Sequence, residues 1–259
     1  MPAESSALIG HTGFVGSNLA AATDFTDYFN SKNIEEIRQR SFNLVVCAGV
    51  AAVKWRANQD PDEDLAAIER LLAPLRTINA ERFVLISTVD VYPNPCGVDE
   101  ATDPHGTANH AYGSHRLMIE DFVREYFKNH HIVRLPGLFG PGLKKNVIYD
   151  LLHAHQLDVI NPASEFQYYN LARLWSDLQE IITRRLPLVN LATEPLATAT
   201  IIERFFSSLL VGCAPSPFSR YDMRTRYADL RDHSGCYLYS AKEILEDLGQ
   251  FIAGERQPA

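Results

Sequence analysis

The sequence predicts an α/β fold, a doubly wound parallel sheet that carries a small second lobe. Short apolar runs alternate with amphipathic helical patterns along the first half of the chain, as expected for strand–helix–strand units with right-handed crossovers. One run, FNLVVCAG at 42–49, is continuously apolar, which is typical of a parallel strand covered on both faces. The 259 residues, 46% hydrophobic, are enough for one large core and a smaller attached one.

The first 135 residues show the clearest alternation of strands and helices. Pro61 suits the first position of a helix, and the residues after it place Leu65, Ile68 and Leu72 on one helical face. In chain order, strands are predicted at 5–10, 23–29, 42–49, 82–87 and 131–135, and helices at 13–22, from Pro61 onward and at 110–127.

From Pro136 the sequence pattern changes. A Gly/Pro-rich loop, PGLFGPGLKKN, is followed by shorter predicted elements. The segments 171–185 and 187–192 return to the pattern of the sheet domain. A terminal helix is predicted at 240–252, because Ser240 and Glu243 form a capping box. We therefore predict a nucleotide-binding domain at 1–135, completed by about 171–192, and a smaller lobe at 136–170 and 193–259.

Composition excludes several classes of function. The net charge is −8 without a long basic run, which argues against a nucleic-acid surface. The four cysteines form no CxxC pair, and His153 and His155 fall on different faces of a helix, so no metal site is predicted. No apolar run approaches the ~18 residues of a membrane span. The start, MPAESSALIG, lacks the features of a secretory leader, and a soluble cytoplasmic protein is predicted.

A glycine-rich turn, GHTGFVG, joins the first predicted strand to the first predicted helix. Glycines at positions 10, 13 and 16 allow a tight turn and let backbone N–H groups approach a pyrophosphate at the helix amino terminus. The alternative is a tight turn with no ligand. The sequence context favours a dinucleotide, bound by Gly10, Thr12, Gly13, Phe14, Val15 and Gly16.

The end of the second predicted strand indicates which dinucleotide binds. An acidic residue usually lies there and bonds the ribose hydroxyls. Here the nearest acid, Asp27, lies within the strand, and the strand end carries Asn30, Ser31 and Lys32. These groups suit a ribose 2′-phosphate, so NADP is favoured over NAD. The alternative is a solvated turn.

The chain resembles the extended short-chain dehydrogenase/reductases, the NAD(P)-dependent sugar-nucleotide epimerases, dehydratases and reductases. The motifs that carry this resemblance are GHTGFVG, VVCAG, STVDVY, YGSHR, RLPGLFGPG and FQYYNLARLWSDL. The resemblance implies a Rossmann-type fold, a nicotinamide cofactor and a nucleotide-linked sugar as substrate. It adds Cys47, Ala48, Gly49, Tyr112, Arg116 and Pro136 to the cofactor site, where Tyr112 and Arg116 would reach the nicotinamide ribose.

The resemblance also implies the catalytic residues Thr88, Tyr112 and Arg116. Tyr112 exchanges a proton with the sugar, and Thr88 binds the same oxygen. The family has lysine where this chain has Arg116. A phenol with a pKa near ~10 needs a nearby cation to act near neutral pH, and arginine one helical turn away keeps that charge. The alternative is that Tyr112 packs against the sheet and Arg116 is a surface cation.

The residues before Tyr92 help to separate the family's reactions. The 4,6-dehydratases have an Asp–Glu pair where this chain has Val89 and Asp90, so dehydration is disfavoured. Asp90 is either a base near the substrate or a carboxylate that caps a turn. Reduction of a 4-keto-6-deoxysugar by NADPH is the first choice, and epimerisation with NAD is the alternative.

Further contacts with the substrate are predicted at Asn146 and Gln167. The resemblance allows a homodimer formed through helices that include 110–127. A protein of another class, a non-catalytic NADP-binding sensor or assembly subunit, is the competing hypothesis, with Arg116 as its main support. An RNA-binding descendant of the fold is disfavoured by the negative charge.

Overall fold

The computed structural model describes residues 5–256; the first four residues of the start discussed above lie outside this range. The strands are β1 (Ser6–Ile9), β2 (Asp27–Phe29), β3 (Ser41–Cys47), β4 (Asn79–Thr88), β5 (Cys96–Val98), β6 (His130–Leu135), β7 (Gly137–Phe139), β8 (Glu165–Phe166), β9 (Tyr168–Asn170), β10 (Leu188–Asn190), β11 (Leu196–Ala197) and β12 (Asp222–Met223). The helices are α1 (Phe14–Ala22), α2 (Lys54–Gln59), α3 (Pro61–Leu75), α4 (Ala111–Tyr126), α5 (Val147–His153), α6 (Leu174–Thr183), α7 (Thr198–Phe205) and α8 (Ala241–Glu255).

A six-stranded parallel sheet is the centre of the fold, as predicted. The strand order is β10-β6-β4-β3-β1-β2. Strand β1 pairs with β2 on one side and with β3 on the other, so the order of connection reverses beside β1. In doubly wound sheets a ligand crevice forms at this reversal, outside the carboxyl ends of the strands. The glycine turn follows β1 and the segment Cys47–Gly49 follows β3, so both lie at this edge.

The core of the sheet explains why the apolar runs form strands. Val45, Val46 and Cys47 in β3 are all at most 1% exposed, because side chains on both faces of a central strand are covered. Ile68 of α3 and Ile119 of α4 belong to the same buried cluster as β3. Burial of this apolar surface is the main stabilising contribution to the domain.

The predicted elements are present with altered ends. Helix α4 lies within the predicted range 110–127, and the capping box of Ser240 and Glu243 at the start of α8 is confirmed. The predicted strand at 23–29 is shorter, because only its last three residues pair with β1. At Thr26 the contacts with Ser6 involve side chains: the Thr26 hydroxyl bonds the N–H and the carbonyl of Ser6, and the Thr26 N–H donates to the Ser6 hydroxyl.

A buried ion pair connects α4 to strand β6. The Arg134 guanidinium donates to both carboxylate oxygens of Glu120, at 2.9 and 2.6 Å, and both side chains are at most 1% exposed. Ser87 donates to the same carboxylate and Tyr92 accepts from Arg134, so the buried charges are fully hydrogen-bonded. Satisfied networks of this kind fix one arrangement of the elements they join. Helix α4 is therefore held firmly against the sheet.

The chain divides into two compact units. Unit 1 contains the described residues up to 94 together with 102–134 and 172–189, and unit 2 contains 95–101, 135–171 and the described residues from 190 onward. In unit 2, β7 pairs in parallel with β9, β8 with β11 in antiparallel fashion, and Phe139 contacts Phe251 of α8. Within residues 5–256 no helix is both long enough and apolar enough to cross a bilayer.

Candidate active site

The glycine turn of unit 1 has the geometry of an anion-binding loop. Gly10 has a φ of +86°, and a Cβ there would come within 2.5 Å of the carbonyl oxygen of Ala48. A Cβ on Gly16 would approach the carbonyl oxygen of Gly10 more closely still. Gly13 is the N-cap of α1 and provides no side-chain cap, and it is exposed together with Thr12. The first N–H groups of α1, including those of the half-buried Phe14 and Val15, are thus available to a phosphate, and the loop fits a dinucleotide pyrophosphate.

The end of β2 carries no carboxylate that could bind a ribose hydroxyl. The Asn30 side chain lies 3.1 Å from Nε2 of His11 and accepts from the backbone N–H of Lys32 at 2.9 Å. Ser31 and Lys32 are exposed. Asp27, the nearest acid in the strand, forms a 2.8 Å ion pair with Arg40. The sequence analysis missed His11, although its position directly after the first glycine was a signal for it.

The end of β3 provides a small-residue wall beside the glycine turn. Cys47 is 1% exposed, and burial raises the pKa of its thiol to about 11, so it is an inert apolar group here. The N–H of Ala48 donates to the carbonyl of Ile9 at 2.9 Å. A Cβ on Gly49 would come within 2.9 Å of the Ile9 side chain. This wall leaves no room for larger side chains between β1 and β3.

Tyr112 and Thr88 are brought together by the close packing of α4 on the end of β4. A Cβ on Gly113 would collide with the carbonyl oxygen of Asp90, which shows how near the helix start lies to the turn after β4. Asn109, just before α4, donates to the same carbonyl at 3.0 Å. Tyr112 is 6% exposed, and the Thr88 side chain lies close enough to its phenol to lower the pKa of the phenol slightly. The two residues predicted to bind one substrate oxygen therefore lie beside each other.

Arg116 is buried in the site instead of lying at the surface. Its side chain is 4% exposed, and its guanidinium carbon lies 4.1 Å from the centre of the Tyr112 ring. One terminal nitrogen is paired with Asp64 and the other donates to the carbonyl oxygen of Ala51. Nε is buried and has no hydrogen-bond partner among residues 5–256. The alternative of a surface cation is thus wrong, and the guanidinium is stacked on the phenol ring.

Asp64 is a site residue that the sequence analysis missed. It lies on α3 and accepts from Arg116 and, at 2.8 Å, from His115. Burial alone would raise the pKa of Asp64, but the hydrogen bonds and positive charges of these two partners outweigh it and lower the pKa. Asp64 is therefore ionised and neutralises part of the Arg116 charge. No local motif marks a carboxylate on α3 as a partner of α4.

The environment of Tyr112 raises the pKa of its phenol above the ordinary value. Burial is the largest cause, because it disfavours the phenolate. Arg116 acts in the opposite direction, with the sign predicted from the sequence, and its effect is smaller than that of burial. In the protein without a bound ligand, Tyr112 is consequently a protonated group.

An ion pair between Lys54 and Asp90 lies near Tyr112. Nζ of Lys54 is 2.7 Å from Oδ1 of Asp90, and the two side chains are 38% and 17% exposed. The backbone N–H of Asp90 donates to the Thr88 hydroxyl at 3.2 Å, so Asp90 is tied to the predicted catalytic threonine two residues before it. Neither of the roles weighed for Asp90 included this partner.

The remaining predicted residues belong to unit 2 and have structural tasks there. Asn146 caps α5 by accepting from the N–H groups of Ile148 and Tyr149, at 3.0 and 3.2 Å. Gln167 is 1% exposed, and its amide bonds the backbone of Thr193 and Met223. Pro136 is buried between β6 and β7. The described residues contain no group of three or more His, Cys, Asp and Glu side chains arranged for a metal ion.

The fold and the site define an α/β protein of the Rossmann type with a tight glycine turn between its first strand and first helix. A profile of the NAD dependent epimerase/dehydratase family matches residues 22–161, more than half of the sequence, and the chain belongs to this family. The predicted likeness to the sugar-nucleotide epimerases, dehydratases and reductases is thus confirmed. The matched segment includes Thr88, Tyr112 and Arg116 and begins after the glycine turn. No curated protein sequence matches the chain.

Solved structures resemble the chain over nearly its whole length. UDP-glucose 4-epimerase of the bacterium Thermotoga maritima is 13% identical, covers 96% of this chain and 97% of its own, and has a TM-score of 0.71. dTDP-4-dehydrorhamnose reductase of Bacillus anthracis in complex with NADP is 16% identical over 97% and 98%, with a TM-score of 0.73. DesIV of Streptomyces venezuelae, a dTDP-glucose 4,6-dehydratase with NAD and TYD bound, is 13% identical over 97% of both chains, with a TM-score of 0.74. At these identities the likeness establishes the fold alone.

Proposed function

We propose that the protein reduces a nucleotide-linked 4-keto-6-deoxysugar with NADPH, using Tyr112 as the proton donor. The observation that carries this proposal is the burial of Tyr112 beside Thr88, which keeps the phenol protonated. A protonated phenol suits reduction, in which a proton must be given to the carbonyl oxygen. The opposite reaction, oxidation of an alcohol, needs a phenolate as base.

The cofactor supplies hydride to the carbonyl carbon when it is bound. Thr88 holds the carbonyl oxygen, and Tyr112 transfers its proton to that oxygen as the negative charge develops there. Reduced nicotinamide carries no positive charge on its ring, so it does not make the phenol lose its proton before the reaction. Arg116, stacked on the ring, stabilises the phenolate that remains.

Two features disfavour the other reactions of the family. Elimination of water needs an acid and a base before Val91, and one of these positions is Val89, 4% exposed. Epimerisation begins with oxidation of a sugar hydroxyl, for which a phenol of raised pKa is a poor starting group. An epimerase that uses bound NAD remains the alternative within the family, since a positively charged nicotinamide would favour the phenolate.

We propose NADP as the cofactor, held by the glycine turn and by the groups after β2. His11, Asn30, Ser31 and Lys32 offer hydrogen bonds and positive charge, and no carboxylate among them repels a 2′-phosphate. Replacing Lys32 by alanine is expected to raise the Kd of NADPH about fivefold, the effect of an exposed ion pair worth about 1 kcal/mol. The Kd of NADH should stay the same. Lys128→Ala, an exposed lysine at the far end of α4, is the control.

The assignment of roles to the two parts of the chain is also a proposal. Residues 1–135 and about 171–192 would bind the cofactor, and 136–170 with 193–259 would bind the sugar nucleotide. Asn146 and Gln167 use their side chains within unit 2, so backbone groups near them are better candidates for contacts with the substrate. A homodimer through α4 stays a prediction.

The test is turnover of NADPH with a panel of nucleotide-linked 4-ketosugars, followed by Tyr112→Phe. The variant should lose about 10²–10⁴-fold in kcat, the usual contribution of a general acid, with an unchanged Kd for NADPH. Tyr126→Phe, on the same helix and 45% exposed, is the matched control. Full activity in Tyr112→Phe would exclude this tyrosine as the proton donor.

One observation favours a second candidate, the non-catalytic NADP-binding sensor. Both terminal nitrogens of Arg116 already donate to groups of the protein, Asp64 and the carbonyl of Ala51, so the guanidinium is anchored there and only its remaining N–H groups could contact a ribose. This candidate predicts that NADPH binds, as seen by its fluorescence, and that no ketosugar or sugar nucleotide is turned over. Interconversion of two sugar nucleotides without net use of NADPH would instead indicate the epimerase.

A further inference from the structure

We propose that the ion pair of Lys54 and Asp90 is a second charge element at Tyr112, in addition to Arg116, and that it adjusts the strength of Tyr112 as an acid. Lys54 is the cation, and Asp90 holds it in place. Lys54 acts through Tyr112 and is therefore a positioning residue. Its consequence for turnover rests on the proposed reductase function, whereas its effect on the phenol needs no turnover.

Lys54 is held close to Tyr112 by contacts of α2. Lys54 is the first residue of α2, and its Nζ lies 2.7 Å from the Asp90 carboxylate. Asn58, one turn further along α2, accepts from the backbone N–H of Tyr112 at 3.0 Å. Because this bond joins α2 to Tyr112, it limits the movement of the Lys54 backbone, and the pair with Asp90 limits that of its side chain.

Asp90 is also fixed relative to the phenol. The turn Val89–Val91 begins at Thr88, whose hydroxyl accepts from the N–H of Asp90 and whose side chain lies close to the phenol of Tyr112. Asn109 donates to the carbonyls of Asp90 and Val91 at 3.0 and 3.1 Å and so ties the turn to the start of α4. A continuous set of contacts therefore connects Lys54, Asp90, Thr88 and Tyr112.

Arg116 and Lys54 differ in their exposure to solvent. Arg116 is 4% exposed, is paired with Asp64 and carries a permanent charge on the ring face. Lys54 is 38% exposed, so its pair with Asp90 is open to solvent and to an incoming ligand. Arg116 thus has a constant effect on the acidity of Tyr112, and the effect of the Lys54–Asp90 pair changes with what binds beside the pair.

The direction in which each charge shifts the ionisation of Tyr112 follows from the sign of that charge. Lys54 stabilises the phenolate and Asp90 destabilises it, so the two members of one ion pair act on Tyr112 in opposite directions. Removing each charge should therefore shift the ionisation of Tyr112 in opposite directions, which loss of a merely structural contact would not do. The charged and titratable groups around Tyr112 are Lys54 on α2, Asp90 after β4, Asp64 on α3, and His110, His115 and Arg116 at the start of α4.

The first experiment follows the ionisation of Tyr112 by NMR of protein labelled with ¹³C at the tyrosine ζ carbon. The resonance missing from Tyr112→Phe identifies the residue, and circular dichroism checks the fold at each pH. The titration should move to higher pH in Lys54→Met and to lower pH in Asp90→Asn. Lys54→Arg should titrate close to the wild type, because the charge is kept. Arg56→Met, an exposed cation on the same helix, is the control. Shifts of the same sign in both variants, or none beyond that of Arg56→Met, would overturn the proposal.

The second experiment measures NADPH-dependent reduction across pH. If Tyr112 donates the proton, the alkaline loss of kcat/KM should move in the same directions as the NMR titration. The kcat of Lys54→Met should fall about two- to fivefold near neutral pH, as for an exposed ion pair, with KM for NADPH unchanged and with recovery in Lys54→Arg. A wild type that reduces no ketosugar would refute the proposed function, and the NMR result would still decide the charge effect.

Discussion

Replacing Asp64 by alanine should destabilise unit 1, because it leaves the guanidinium of Arg116 buried without a counterion. The two side chains are 8% and 4% exposed, so water cannot take the place of the carboxylate. Breaking a buried ion pair by removing one partner costs about 3–5 kcal/mol. The hydrogen bond to Ala51 and the stacking on Tyr112 remain in the variant, so we expect the lower end, about 3 kcal/mol, or about 100-fold in the equilibrium constant for unfolding.

Urea unfolding followed by tryptophan fluorescence measures this loss. Trp55 and Trp175 are the two tryptophans of the chain, and both lie in unit 1, so the signal reports the unit that contains the ion pair. In a thermal scan, a loss of about 3 kcal/mol corresponds to a decrease in Tm of about 6–12 °C for a chain of this size. Both experiments are done without cofactor, because a bound ligand adds its own stabilisation.

A double-mutant cycle separates the ion pair from other effects of the substitution. Arg116→Met alone leaves an ionised Asp64 beside His115, and the double variant removes both charges. The double variant should be more stable than the sum of the two single losses predicts, because neither charge is then left unpaired. A loss below about 1 kcal/mol in Asp64→Ala, as for an exposed pair, would refute the inference that Arg116 is held by a desolvated carboxylate.

Three further outcomes follow from the structure. Gly16→Ala should abolish NADPH binding in a fluorescence titration, because its Cβ would overlap a backbone oxygen of the turn, whereas Gly254→Ala in α8, where nothing lies within 4 Å, should stabilise unit 2 by about 0.5–1 kcal/mol. The pKa of Asp64 is lowered by folding, so the difference in stability between the wild type and Asp64→Asn should be constant above about pH 4 and should shrink as pH falls below that value, as measured by urea unfolding across pH. Iodoacetamide at pH 8 should modify the exposed Cys213 quickly and leave Cys47 unmodified until the protein unfolds, as seen by peptide mass spectrometry.

The local patterns were sufficient for the elements of the sheet domain. Strand β3 and helix α4 could be read from one segment each, because a buried strand needs a continuous apolar run and a helix on a sheet needs one apolar face. Short elements were missed. Helix α2, KWRANQ, has one buried residue, Ala57, and is fixed by contacts with distant parts of the chain that no local pattern records.

The site shows the same division. The glycine turn was predicted from its spacing, and Thr88 and Tyr112 from motifs that resemble those of the family, and their roles stay predictions. Asp64 and Lys54 were not assigned, because their partners Arg116 and Asp90 are 52 and 36 positions away in the sequence. For Asn146 and Gln167 the sequence indicated a polar side chain, and only the contacts showed that these amides bond the backbone.

The sequence by itself determined the parallel α/β architecture and predicted the glycine turn and the phenol proposed to exchange a proton. These depend on periodicity and on spacing within single segments. Only the tertiary structure decided the protonation state of that phenol. Its pKa depends on how deeply it is buried and on which charges the folded chain places around it, namely Arg116 held by Asp64 and Lys54 held by Asp90. Burial and charge act through space, and distances in space are set by the whole fold.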